Sequence, residues 1–135
     1  MELQQAGPHD ARTAGVCLDL DGGPGCIAVA RDVLAAFLRE RASHAHHPFH
    51  ADVVLVASEL ATNAVRHAGG PFSLELGLLP DGIGIAVRDS SPALPRSRPA
   101  DGTGGRGWPI VESLARQVSV FSDDDGKTVY VELAW

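Results

Sequence analysis

Glu59 and Asn63 stand four residues apart in the stretch Asp52 to Gly70, DVVLVASELATNAVRHAGG. Around them the apolar residues Val53, Val56, Ala57, Leu60, Ala61, Ala64 and Val65 recur at steps of three and four. That period marks the buried face of a helix. On a helix, side chains four apart lie over one another, so a carboxylate and a carboxamide are stacked, with His67 continuing the row. The amide oxygen is a hard ligand for a small divalent cation, and the carboxylate can take a proton from a neighbouring hydroxyl. The same spacing also describes the solvated polar edge of an amphipathic helix, and this helix alone leaves both readings open.

The weight shifts downstream. Val87-Arg88-Asp89 closes an alternating strand on a carboxylate, a loop follows, and Gly102-Thr103-Gly104-Gly105-Arg106-Gly107 opens another helix. Together these motifs resemble the nucleotide site of the GHKL ATPase superfamily. ELATNAVRHA is similar to its N box, Asp89 to its adenine-reading aspartate, and GTGGRG to the glycine box of its ATP lid. Within the superfamily the resemblance is to the stand-alone anti-sigma-factor serine kinases of the RsbW type and their small actinobacterial relatives. It covers the chain from Gly25 to the end. Three motifs in the right order are a far more specific signal than a glycine-rich loop alone.

The resemblance implies ATP and Mg²⁺ as cofactors, with Asn63 holding the metal. Magnesium keeps several waters and takes few protein oxygens, so one carboxamide on a rigid helix is a sufficient anchor. It implies that Glu59 accepts the proton of an attacking serine hydroxyl, or orients a water in a simple ATPase. Asp89 would accept a hydrogen bond from the adenine amino group and repel guanine's carbonyl. Thr128, in Gly126-Lys127-Thr128-Val129, matches a family threonine near the same edge, or is simply a β-branched strand residue. Gly102, Gly104, Gly105 and Gly107 let backbone amides approach phosphate at a helix start. Arg106 would pair with a phosphate or with a partner protein. His67 and Arg66 either line the phosphate side or close the helix end, where positive charge is favoured anyway.

The implied function is that of an ATP-binding anti-sigma regulator with serine/threonine kinase activity. Such a protein sequesters a sigma factor and phosphorylates a STAS-type anti-sigma antagonist, and the first strand and helix of the family also serve a homodimer. An ATP-dependent interaction switch without phosphoryl transfer is the alternative. Two departures from the family pattern bear on that choice. Asp89-Ser90-Ser91-Pro92-Ala93 replaces Asp-x-Gly-x-Gly, and Trp108-Pro109 stands where a smaller aliphatic pair is usual. A histidine kinase is not expected, because no long dimerisation helix pair with a phosphoacceptor histidine is present. An unrelated structural α+β domain is what remains if the motif match is accidental.

Composition fits this picture. The 135 residues suffice for one domain with a real core, expected over residues 15–135 after a frayed, polar segment 1–14. The chain is 44% hydrophobic and 21% charged, the balance of a globular domain. A net charge of -6 with no cationic stripe disfavours direct nucleic-acid binding and suits a basic partner protein. No apolar run approaches the roughly 20 residues that span a bilayer, and the start lacks signal-peptide character, so a cytoplasmic protein is expected. Cys17 and Cys26 lack metal-ligand spacing and read as two reduced, partly buried thiols.

The elements that must position the motifs follow in order. Val16 to Leu20 alternates as a short edge strand, Asp21 to Gly25 is a turn, and Cys26 to Arg41 is an amphipathic helix. Ser43 to Phe49 and His50, holding four of the six histidines, reads as a solvated interhelical loop rather than a zinc or nickel site. Phe72 to Leu79 and Ile83 to Asp89 form a hairpin across Pro80-Asp81-Gly82. Ser90 to Asp101 is a loop, Arg106 to Arg116 a helix with Pro109 in its first turn, and Val118–Phe121 with Thr128–Leu133 a second hairpin. The order predicts an α+β two-layer sandwich, with helices on one face of a mixed, mostly antiparallel sheet, the Bergerat plan of the GHKL superfamily.

Overall fold

The computed structural model describes residues 15–91 and 107–135. The segment 1–14, the loop beyond Ser91 and the glycine-rich residues Gly102, Gly104, Gly105 and Arg106 lie outside the described residues. The chain runs β1 (Gly15–Leu20), α1 (Cys26–Arg41), α2 (His47–Ala68), β2 (Phe72–Leu79), β3 (Gly82–Asp89), α3 (Gly107–Leu114), β4 (Gln117–Asp123) and β5 (Gly126–Ala134). Three helices pack on a five-stranded sheet of order β1-β2-β3-β5-β4.

Every ladder in this sheet is antiparallel, where the sequence suggests a mixed one. The connections explain the difference. Two helices, out and back, separate β1 from β2, so β2 returns beside β1 in the opposite sense. The single helix α3 carries β3 to β4 in the same direction, as a crossover does. However, β5 inserts between those two strands and runs against both. The order places β1 and β4 at the sheet edges, as expected for β1.

One face of the sheet is the core. Leu74, Leu76, Ile83, Ile85, Val87, Val129, Val131 and Leu133 alternate inward along β2, β3 and β5 and are all buried. They meet Leu34 and Leu38 of α1 and Val53, Val56, Ala57, Leu60, Ala61 and Ala64 of α2. The other sheet face is polar. There Arg116 grips Asp81 with two 2.8 Å bonds and Glu132 with one of 3.1 Å, and the Tyr130 hydroxyl donates to Glu132 at 2.6 Å. The Arg116 guanidinium holds the Asp81 carboxyl below its usual range, while burial and Glu132 push the Tyr130 phenol up.

The histidine cluster is only in part the solvated interhelical loop expected: His44 and His46 are exposed in the connection, while His47 and His50 belong to the next helix. α2 begins at His47, with Pro48 in its first turn, where a missing amide hydrogen costs nothing. His46 is the N-cap, its Nδ1 accepting from the Phe49 amide at 3.2 Å, and His50 Nε2 lies 2.8 Å from the Ala42 carbonyl oxygen. His44 meets Trp135 edge-on, with ring centroids 4.5 Å apart, and Trp135 also meets Phe49. At its other end α2 stops at Gly69, whose φ of 68° is the left-handed cap conformation that glycine adopts freely. Both cysteines are free thiols, but Cys17 is exposed on the edge strand rather than partly buried, while Cys26 is buried.

Gly126 opens β5 at φ 142°, pressed against the end of β3. A Cβ built there would lie 2.0 Å from the Asp89 carbonyl oxygen and 2.9 Å from the Ser90 Cα. Both neighbours are backbone, so neither can swing aside. Gly126→Ala should therefore cost about 2 kcal/mol or more, from backbone strain and displaced strands together. Urea unfolding measures it, and an unchanged midpoint would show that the two strand ends are not locked.

Candidate functional site

α2 brings Glu59 and Asn63 together as their spacing demands, one turn apart on the margin between its buried face and solvent. Both side chains are half-buried, and among the described residues neither has a hydrogen bond or ion pair. That freedom is informative. A carboxamide and a carboxylate on a helix that is otherwise packed are left with their oxygens uncommitted. Such a donor set fits a small hard cation and a proton to be moved, the chemistry of a nucleotide·Mg²⁺ site. Glu59 also borders a groove of about 550 Å³ between α1 and α2, which Arg31, Arg39, Ser58 and Thr62 line as well. His67 lies half-buried in the last turn of α2, with Nδ1 shielded from solvent, and Arg66 beside it is exposed.

Asp89 ends β3, on the sheet face that the helices cover. α2 packs on β2, β3 and α3, so the helix that carries Glu59 and Asn63 covers the same sheet face that Asp89 ends on. α3 begins at Gly107 with Trp108 partly buried against the core and Val111 fully buried. Of the six-residue glycine motif, only Gly107 falls within the described residues.

The register separates Thr128 from Asp89. In the β3–β5 ladder Arg88 lies opposite Thr128, and Asp89 opposite Lys127. Side chains alternate along a strand and cross-strand partners share a face, so Thr128 points to the open side with Arg88. There the Arg88 guanidinium donates to the Thr128 hydroxyl at 3.2 Å and lies 3.5 Å from Asp123. Lys127 is the residue that shares Asp89's face.

Lys127 and Asp89 form a buried ion pair. Their side chains are 1% and 3% exposed, and the Lys127 Nζ lies 2.8 Å from Oδ2 and 3.1 Å from Oδ1. The ammonium reaches the Ser91 carbonyl at 3.4 Å, and the Ser91 amide donates to Asp89 Oδ1 at 2.8 Å. Phe72 flanks Asp89 on its other side, opposite it in the β2–β3 ladder and buried. The sequence does not announce this lysine. Alternation shows that Lys127 and Thr128 face opposite ways, but only the pairing of β3 with β5 shows which of them meets Asp89.

The profile of the histidine kinase-like ATPase domain matches residues 23–133 of the chain. No curated protein matches it. Among solved structures, the crystal structure of the RsbU and RsbW domains of a Mycobacterium tuberculosis protein superposes with a TM-score of 0.69 at 22% identity. The match covers 90% of this chain and 32% of that one, so the chain spans about a third of its length. The histidine kinase domain of a blue-light activated histidine kinase from Erythrobacter litoralis aligns with a TM-score of 0.46 at 20% identity, over 64% of this chain and 44% of that one.

Proposed function

This chain belongs to the histidine kinase-like ATPase domain family, and on that premise we propose that it is an ATP-binding regulator that transfers the γ-phosphate to a protein serine or threonine. The observation that carries the reading is the uncommitted Glu59–Asn63 pair on α2, in a fold shared with an RsbW domain. Asn63 would hold the magnesium through its carboxamide oxygen. Bound ATP·Mg²⁺ supplies the phosphoryl group. Glu59, one turn away, would accept the proton of the incoming hydroxyl and return it to solvent through the groove it borders. Asp89 would face the purine edge at the end of β3, and the glycine-rich residues leading into α3 would meet the phosphates. By likeness to that RsbW domain, the phosphoacceptor is proposed to be an anti-sigma antagonist of the STAS type and the sequestered partner a sigma factor. A homodimer and a cytoplasmic location belong to the same proposal. No helix among the described residues is long and apolar enough to cross a membrane.

Calorimetric titration with ATP, with and without Mg²⁺, tests the site on wild type and Asn63→Ala. Binding that weakens about tenfold or more on losing either the metal or the carboxamide is expected, a change of about 1.4 kcal/mol. Equal affinity in all four titrations would remove Asn63 from the metal's coordination shell. The second reading, a nucleotide-dependent switch without phosphoryl transfer, draws on Ser90 and Ser91 standing directly after Asp89 where the family pattern has a glycine. Labelled ATP incubated with a candidate antagonist separates the two, since the switch binds nucleotide but leaves the antagonist unlabelled.

A further inference from the structure

We propose that the groove between α1 and α2 docks the phosphoacceptor, and that it takes an extended, acidic segment whose serine or threonine lies at Glu59. The inference rests on the reading that Glu59 is the base of phosphoryl transfer. It adds where the acceptor enters and what chemistry the segment carries.

The groove has a volume of about 550 Å³. Of Glu59, Asn63 and Asp89, only Glu59 lines it, so a nucleotide held by the other two leaves it open to a second reactant. Its floor is apolar, with Ile27, Ala35 and Leu38 from α1 facing Val54 and Leu55 from α2. Leu38 is fully buried, but Leu55 keeps 39% of its surface exposed, apolar area that a docked segment would cover.

Charge sets the sign of that segment. Arg31 and Arg39 line the α1 wall and are both exposed, and among the described residues neither has a hydrogen bond or an ion pair. Glu59 is the one carboxylate among the described residues of the lining. Two uncommitted guanidiniums against one carboxylate favour an acidic partner, although the chain as a whole carries a net charge of -6. The Ser58 and Thr62 hydroxyls turn back into α2, donating to the Val54 and Ser58 carbonyls at 2.8 Å. Glu59 is therefore the group at that end left to take a proton.

Spacing sets the length. α1 and α2 run out and back across a short connection, so Arg39, near the end of α1, stands by the start of α2 with His47 and Ala51. Glu59 lies eight residues past Ala51 and twelve past His47, about 12–18 Å along the helix. An extended chain covers that distance in about four or five residues. At the Glu59 end the acceptor oxygen bonds to the γ-phosphorus as the bond to the bridging oxygen breaks. The hydroxyl proton passes to Glu59, and the electron pair stays with ADP.

The test uses the full chain, ATP·Mg²⁺ and two eleven-residue peptides with a central serine. Both carry leucine two residues to either side. One carries aspartate at the fourth and fifth positions on each side, the other lysine, and the remaining positions are alanine. The expected kcat/KM is at least about fivefold higher for the aspartate peptide, with the difference in KM. Arg39→Glu, checked as folded by circular dichroism, should reverse the preference, which the loss of a merely structural arginine would not do. Equal rates on the two peptides, or an unchanged preference in the folded variant, overturn the inference. The wild-type comparison decides the matter without the variant. If a candidate antagonist protein is labelled and neither peptide is, the inference falls and the kinase reading stands. No labelling of any acceptor removes the kinase reading itself, and this inference with it.

Discussion

Lys127→Met should lower the unfolding free energy of the protein by about 3–5 kcal/mol, a large part of the stability of a domain this size. The substitution keeps the length and apolar stem of the side chain, so little packing is lost. What it removes is the ammonium that holds both oxygens of Asp89. A carboxylate 3% exposed is then left with a single amide donor, from Ser91, and the desolvation cost of its charge is no longer offset. The control is the pair of substitutions together. Asp89→Leu with Lys127→Met replaces two opposed charges by two apolar groups, and should recover most of the loss, because a buried ion pair and a well-packed apolar pair are close in energy. Denaturant unfolding of the two single variants and the double variant gives the coupling. If the double variant loses the sum of the singles, the two residues do not interact as their geometry demands.

Glu59→Gln should slow phosphoryl transfer about 10²–10⁴-fold while leaving ATP affinity unchanged within the error of a titration. The side chain is half-buried on a helix margin and has no partner among the described residues, so the amide can replace it without breaking a contact. Glutamine keeps the shape but cannot accept the hydroxyl proton at neutral pH. Asn63, one turn on and proposed to hold the cation, is untouched, so binding and transfer should come apart in this variant and fall together in Asn63→Ala. Labelled-phosphate transfer to an antagonist serine measures the rate. Transfer at the wild-type rate would mean that Glu59 is not the base.

Local pattern made much of this architecture legible beforehand. The bounds of α1 follow from its apolar period alone, and the β2–β3 hairpin from two alternating runs around Pro80-Asp81-Gly82. The Glu59–Asn63 juxtaposition needs only that Asp52 to Ala68 be helical. The start of α2 is not announced, because histidine is not among the usual capping residues and Pro48 is a loop signal as much as a helix-start signal. The competing histidines obscured it. Pairing between strands distant in sequence was not legible, because nothing local encodes it. Hydrophobic alternation says which residues share a face of one strand, but not which strand lies beside it. Hence the insertion of β5 between β3 and β4 was missed, and with it the choice between Thr128 and Lys127.

The seam between β3 and β5 has a consequence for how the protein holds together in time. β2 with β3, and β4 with β5, are hairpins whose turns close over very short distances, and such units assemble quickly and independently. The ladder joining them pairs residues from 38 positions apart, Asp89 with Lys127, to 52, Gly82 with Ala134, and its closure is the slower, entropically dearer event. In sub-global opening, the two hairpins would part as cooperative units along that line. The charged pair stands at one end of the line, where Asp89 belongs to one unit and Lys127 to the other. The pair itself therefore clasps the two units, and removing it should speed hydrogen exchange across the whole seam, not only at the amides beside it.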